Sequence, residues 1–140
     1  MEVSQQDYLD AIISFDYGNK RIGVALKASE ESSPEPLLTL NNDSELWKNI
    51  EDLLNLHQPD LIVVGRPRNL DGENTQQTEL AEKFASELTK LYNNKIELID
   101  EALSTEQAKQ RIPKHLASKS RDVIDQYAAC IILESYLREK

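Results

Sequence analysis

Cysteine and histidine are both scarce in this chain. A single cysteine, Cys130, rules out an internal disulfide and any cysteine-based zinc cluster. A reducing compartment suits such a chain, so a cytoplasmic location is expected. The two histidines, His57 and His115, fall at a helix end and in a basic loop, and neither stands out as a general base. No apolar run approaches the roughly 18 residues that a bilayer-spanning helix needs, so no membrane partner is expected. The first ten residues, MEVSQQDYLD, are acidic and polar. They are expected to be loosely ordered and not to serve as a secretory signal. Repeats and low-complexity segments are missing as well. Basic residues are outnumbered, and the net charge of −9 argues against indiscriminate nucleic-acid binding, whose affinity comes from neutralising phosphates.

What is present reads as a folded protein. Hydrophobic residues at 39% and charged residues at 29% have the balance of a soluble globular chain. With 140 residues, the span 1–140 is expected to form one domain around a single core. Residues 11–16 and 21–27 read as a hairpin around Tyr17-Gly18-Asn19-Lys20, and 37–40 as a short third strand after two prolines. The period then changes. Leu46, Trp47, Ile50, Leu53 and Leu54 share one helical face within 44–57, with Asp43 or Ser44 as cap and Pro59 beyond the end. The apolar run LIVVG, 61–65, suits a strand covered on both faces. A helix over 75–92 is marked by Leu80, Phe84, Leu88 and Leu91, and KIELID, 95–100, is another strand. STEQ, 104–107, fits a capping box for a short helix stopped by Pro113. Residues 122–138 form a last helix with Ile124, Ala128, Ile131 and Ser135 on one stripe. The order β-β-β-α-β-α-β-α-α requires right-handed crossovers in its second half. It predicts an α/β fold, a mixed five-stranded sheet with helices on both faces.

Carboxylates stand where such a sheet places its sites, beyond the carboxyl ends of the strands. Asp16 ends the first strand after Ala11, Ile12, Ile13 and Phe15, an apolar setting that makes its charge costly. Asp100 and Glu101 end the last strand in ELIDEALS, and Asp125 lies near the start of the final helix on the side of its buried stripe. Taken singly, each has an ordinary explanation: a turn cap for a strand-end Asp, a complement to the helix dipole for Asp125. Three carboxylates converging on one point would repel unless a cation joined them. Mg²⁺ and Mn²⁺ prefer such oxygens, and two of these ions about 4 Å apart can clamp both the attacking and leaving oxygens of a phosphodiester.

Positive charge is segregated. Lys109 to Arg121 holds five Lys or Arg residues and no acid, which suits a phosphate-binding loop or a solvated charge run equally well. Lys114, Lys119 and Arg121 are its candidate substrate contacts. In VVGRPRNLDGENTQQT, Arg66 and Arg68 offer planar donors suited to phosphate, and the helix that begins at Thr75 favours anions. A plain connecting loop with a turn at Asp71-Gly72 accounts for the same residues.

Four blocks, FDYGNKRIGVAL, IVVGRPRNLDG…T, LIDEALST and VIDQYAACIILESYL, occur in an order and spacing that resembles the YqgF family of Holliday-junction-resolvase-like proteins, also described as pre-16S rRNA nucleases. The resemblance implies an RNase H-like fold whose second strand runs antiparallel. It implies hydrolysis of structured nucleic acid with Mg²⁺ or Mn²⁺, most directly 5′-end maturation of pre-16S rRNA within ribosomal precursor particles, with branched DNA as the other substrate. A monomer or weak homodimer is expected. The family's catalytic and metal-binding acids fall on Asp16, Glu101 and Asp125. Asp100 also matches, but precedes the functional Glu. Lys20, Arg21 and Asn69 join the basic residues above as expected substrate contacts.

The chain departs from the family at Asn19, usually Thr, and in GRPRNLDG, where the family reads GLPLNMDG. It also departs in DEALST, where Ala102 replaces an arginine beside the active acid. That arginine would contact phosphate or orient the carboxylate. Its loss supports a second reading, a weak or inactive nucleic-acid-binding or protein-docking module. The first block is also similar to the first phosphate loop of actin-like and sugar-kinase-like proteins, but those enclose nucleotide between two related domains and no second acidic glycine loop follows.

Overall fold

The computed structural model of the chain describes residues 11–67, 71–101, 105–115 and 120–139. Period-two alternation gives the first strand two different faces. In β1 (Ile12–Tyr17), Ile13 and Phe15 enter one core, while Ile12 enters another and Ser14 donates to the Ala129 carbonyl at 2.7 Å. Asp16 shares the parity of Ile12 and Ser14. β2 (Arg21–Lys27) returns antiparallel, pairing Gly23 with Asp16, and β3 (Glu35–Asn41) pairs antiparallel beyond it. β4 (Leu61–Pro67) and β5 (Lys95–Glu101) add in parallel on the other side of β1, giving the order β3-β2-β1-β4-β5. The expected mixed five-stranded sheet is present.

Helices cover both faces. α1 (Leu46–His57) and α2 (Gln76–Leu91) bury Ile50, Leu53, Leu54, Phe84 and Leu88 against Ile13, Phe15, Ile62 and Val64. The Phe84 ring lies 5.5 Å from Phe15, 4.9 Å from Tyr17 and 5.5 Å from Trp47. On the opposite face α4 (Arg121–Glu139) buries Ile132 and Leu133 against Ile12, Leu61, Val63 and Ile99. The short α3 (Thr105–Arg111) packs on α4 through Ala108, Ile124 and Ala128. None of the helices among the described residues is long and apolar enough to cross a membrane.

Three local expectations are corrected. β3 begins at Glu35 and takes in Pro36, which an edge strand tolerates because one row of its backbone groups has no ladder partner. α1 begins at Leu46, because Asp43 forms a turn ahead of it: its carboxylate accepts from Glu45 N at 2.9 Å and its carbonyl from Leu46 N at 3.1 Å. In α4 the stripe of Ile124, Ala128 and Ile131 faces α3, and a second stripe of Ala129, Ile132 and Leu133 faces the sheet. A helix apolar on two sides has two neighbours. α2 is capped by Thr75 and Thr78, which close a reciprocal capping box. The cap expected at Ser104 lies outside the described residues.

Candidate active site

Two glycines in strand interiors let α4 approach the sheet. A Cβ on Gly23 would stand 1.9 Å from the Asp125 carbonyl oxygen, and one on Gly65 would stand 2.3 Å from Ile132 Cδ1. Gly23 is also the cross-strand partner of Asp16. Close approach at Gly23 therefore sets the Asp125 backbone directly over the pair that contains Asp16. The Ser14 hydroxyl clips the helix to β1 at Ala129, and the Thr39 hydroxyl donates to the Asp122 carbonyl at 2.6 Å. Placement of Asp125 is thus fixed by sterics at Gly23 and by hydrogen bonds on either side.

At the end of β5 the strand parity separates neighbouring acids. Asp100 lies on the α2 face, where Arg66 Nε donates to its Oδ1 at 2.7 Å and Arg66 Nη1 donates to Glu82 at 3.1 Å. Glu101 lies on the α4 face, where the Ser135 hydroxyl donates to its Oε2 at 3.0 Å and Arg138 in turn donates to Ser135 at 3.1 Å. Asp100 therefore belongs to a structural ion pair, and Glu101 shares a face with Asp16 and Asp125.

Asp16 is half-buried and receives no hydrogen bond and no counter-ion among the described residues. Burial pushes its carboxyl up to about 7, and the charges of Asp125 and then Glu101 push in the same direction. Asp125 is also raised, mainly by burial, against the lowering effect of Arg21, whose Nε donates to its Oδ2 at 2.8 Å. The exposed Arg121 is near enough to act on the Asp125 carboxyl as well.

The three acids share one end of one sheet face, yet they do not close on a single point. Among the described residues no three acids, histidines or cysteines stand close enough to hold one ion between them. Asp125 is bonded to Arg21 and Glu101 to Ser135. The donor set itself suits a hard divalent cation, being all carboxylate oxygen with no counter-charge to Asp16 among the described residues.

The remaining expected residues divide. Arg21 faces the acids, but its guanidinium is bonded to Asp125. Arg66 is committed to Asp100 and Glu82 on the far face of the sheet, away from Asp16. Lys20 and Lys114 are exposed. Arg68, Asn69, Lys119 and Ala102 lie outside the described residues. Sequence reasoning missed Gly23, Ser14 and Ser135. A glycine inside a strand signals close backbone approach and makes Gly23 recoverable. Ser135 carries no local signal, since its partner is on another element.

A family model described as RuvX, Holliday junction resolvase, matches residues 10–139. A protein of Shewanella denitrificans named "Putative pre-16S rRNA nuclease" is 38% identical over 133 residues, covering 92% of this chain and 94% of its own. One of the same name from Buchnera aphidicola is 41% identical over 132 residues, covering 91% and 96%. Among solved structures, Thermus thermophilus RuvC in complex with a Holliday junction substrate superposes with a TM-score of 0.58 at 11% identity, over 93% of this chain and 96% of that one. The fowlpox virus Holliday junction resolvase gives 0.57 at 15%, over 93% and 99%. These two likenesses are of fold, the RNase H-like arrangement already evident in the strand order. With a family match over nearly all of its length, this chain belongs to the RuvX family of resolvase-like nucleases, the YqgF family that its four sequence blocks resemble.

Proposed function

We propose that this protein hydrolyses phosphodiester bonds of structured nucleic acid in a reaction that depends on Mg²⁺ or Mn²⁺, most directly at the 5′ end of pre-16S rRNA in the cytoplasm. The observation that carries this is Asp16, a half-buried carboxylate at the end of the central strand, without a counter-ion among the described residues and facing two further acids. A fold keeps such a group at a cost unless something positive joins it. The name of the curated relatives supports an rRNA precursor over branched DNA as substrate.

Asp16, Glu101 and Asp125 would hold the ion. When bound, a divalent cation supplies Lewis acidity and a nucleophilic water at neutral pH, chemistry for which neither histidine is needed. The chain's own residues do the rest. Asp16 sits where hydration is partial, so a cation would draw its raised carboxyl into the charged form and be held more strongly than at an open surface. Ser135 orients Glu101, and the hydrogen bonds at Ala129 and Asp122 fix the height of Asp125 above β1 and β2. Lys20 and Arg121, both exposed, and Lys114 beyond α3 offer positive charge to the phosphates on either side of the scissile bond.

The test compares wild type with Asp16→Asn on a small-subunit rRNA precursor, with and without chelator. Cleavage by wild type that is abolished by EDTA and by the substitution is expected. Cleavage surviving both refutes the assignment. Binding without cleavage by wild type, across RNA and junction DNA, establishes the binding-module reading instead.

A further inference from the structure

β5 ends the sheet on one side, and among the described residues its outer edge has no ladder partner. Such an edge offers a row of backbone donors and acceptors to another strand. A groove of about 630 Å³ lies against it, lined by Glu97, Leu98, Ile99, Tyr136 and Glu139. Leu98 shares the α2 face of the strand with Asp100, while Glu97 and Ile99 share the α4 face with Glu101, so the groove follows the edge itself. Leu98 is 38% exposed there. We propose that β5 is the contact between two copies of this chain, paired antiparallel across a twofold axis with Leu98 opposite Leu98 and Lys95 opposite Glu101. This goes beyond the hydrolysis proposed above and does not rest on it.

The charges along the strand, KIELIDE, are complementary to themselves. A twofold axis perpendicular to the sheet keeps the α4 faces of the two copies level, so residues of like parity meet. Centred on Leu98, the pairing sets Lys95 against Glu101 twice, Ile96 against Asp100 and Glu97 against Ile99. Centred on Glu97, it sets Glu97 against Glu97, and centred on Ile99 it sets Glu97 against Glu101. Opposite charges directly across a strand pair stabilise it and like charges destabilise it, so the Leu98 register is favoured over both neighbours. Lys95 is 67% exposed, and its Nζ stands 3.6 Å from Glu97 Oε1. The amine therefore already lies on the face that carries Glu101. The Leu98 contact covers apolar surface that each copy leaves open. In the pair, each Glu101 gains a positive side chain from the other copy, and the two candidate sites lie on one face at opposite ends of the joined sheets.

Sedimentation equilibrium of the full chain, at concentrations up to roughly 1 mM, reads the association. Wild type is expected to dimerise with a Kd of about 10 μM to 1 mM, as suits an interface at the small end of the range. Lys95→Glu and Glu101→Lys each turn both attractive pairs repulsive, and each is expected to weaken self-association roughly tenfold or more. An equimolar mixture of the two variants is expected to associate as wild type does, because each residue 95 then again meets a residue 101 of opposite sign. Leu98→Cys is expected to form an intermolecular disulfide under mild oxidation, the native Cys130 being buried. Lys95→Cys is expected to form none, since its counterpart lies about six residues of strand away, roughly 20 Å. Wild type that stays monomeric at the highest concentration leaves the edge to another chain and overturns the proposal. A dimer that tolerates both charge reversals overturns it, as does a mixture that fails to associate although both variants are folded by circular dichroism. Crosslinking through Lys95→Cys as strong as through Leu98→Cys also overturns it, whether or not the charge variants fold.

Discussion

Replacing Asp16 by Asn should stabilise the metal-free protein while abolishing its proposed activity. In the folded chain the Asp16 carboxyl is raised from 3.8 to about 7, by burial first and then by Asp125 and Glu101. The folded state therefore binds this proton more tightly than the unfolded state between those two values. Stability falls as pH rises across that window, and the loss is complete above about pH 7. At about 1.4 kcal/mol per unit, the full shift corresponds to a cost of about 4 kcal/mol. Relaxation and partial hydration reduce this to about 2–4 kcal/mol. Asparagine has nearly the same volume and no charge to desolvate. In EDTA at pH 8, Asp16→Asn should thus melt roughly 10 °C above wild type. The gap should narrow through pH 6 and 5 and close near pH 4. Thermal and urea denaturation across this range are the assay. Equal midpoints at pH 8, or a gap that widens toward acid, would refute the claim that Asp16 is an uncompensated charge. Saturating Mg²⁺ should raise the melting point of wild type at pH 8 and leave that of Asp16→Asn nearly unchanged.

Gly23→Ala should cost about 3 kcal/mol or more by urea denaturation, because the new methyl meets the rigid Asp125 carbonyl. Gly65→Ala should cost less, since the Ile132 side chain it meets can rotate. Ser135→Ala removes the hydroxyl that holds Glu101, and should slow cleavage by roughly fivefold for one lost hydrogen bond, with Ser135→Thr restoring it. Alanine at Lys114 and Arg121 should lower the salt dependence of RNA binding by about one unit of slope per lost phosphate contact, as read from a filter-binding titration. An unchanged slope would make the segment a solvated loop.

Much of the fold was legible because apolar spacing reports faces directly. The apolar run Ala11, Ile12, Ile13 and Phe15 read as the first strand of a hairpin, and LIVVG as a strand covered on both faces; that the first is central came from the pairing. Asp16 announced itself by being charged where its neighbours were not. The choice between Asp100 and Glu101 was not available from spacing, because adjacent strand residues face opposite ways and register decides which way is which. Pairing with β4 places Asp100 beside Arg66 and Glu101 beside Pro67. The same register turns Arg66, a plausible phosphate ligand by composition, into the partner of Asp100 and Glu82. The single stripe expected in α4 failed for a related reason: one period was read where two neighbours had each imposed their own. Arg21 read as a substrate contact, because its bond to Asp125 spans elements far apart in sequence.

The order of elements along the chain has a consequence for synthesis. α4 follows every strand, and it alone brings Asp125 and the Ser135 grip on Glu101. A nascent chain can pair all five strands and cover one face with α1 and α2 while Ile12, Leu61, Val63 and Ile99 still lack their covering helix. Until that helix docks, the chain holds Asp16 without Asp125. A candidate site split this way is assembled by the same docking event that buries the second core.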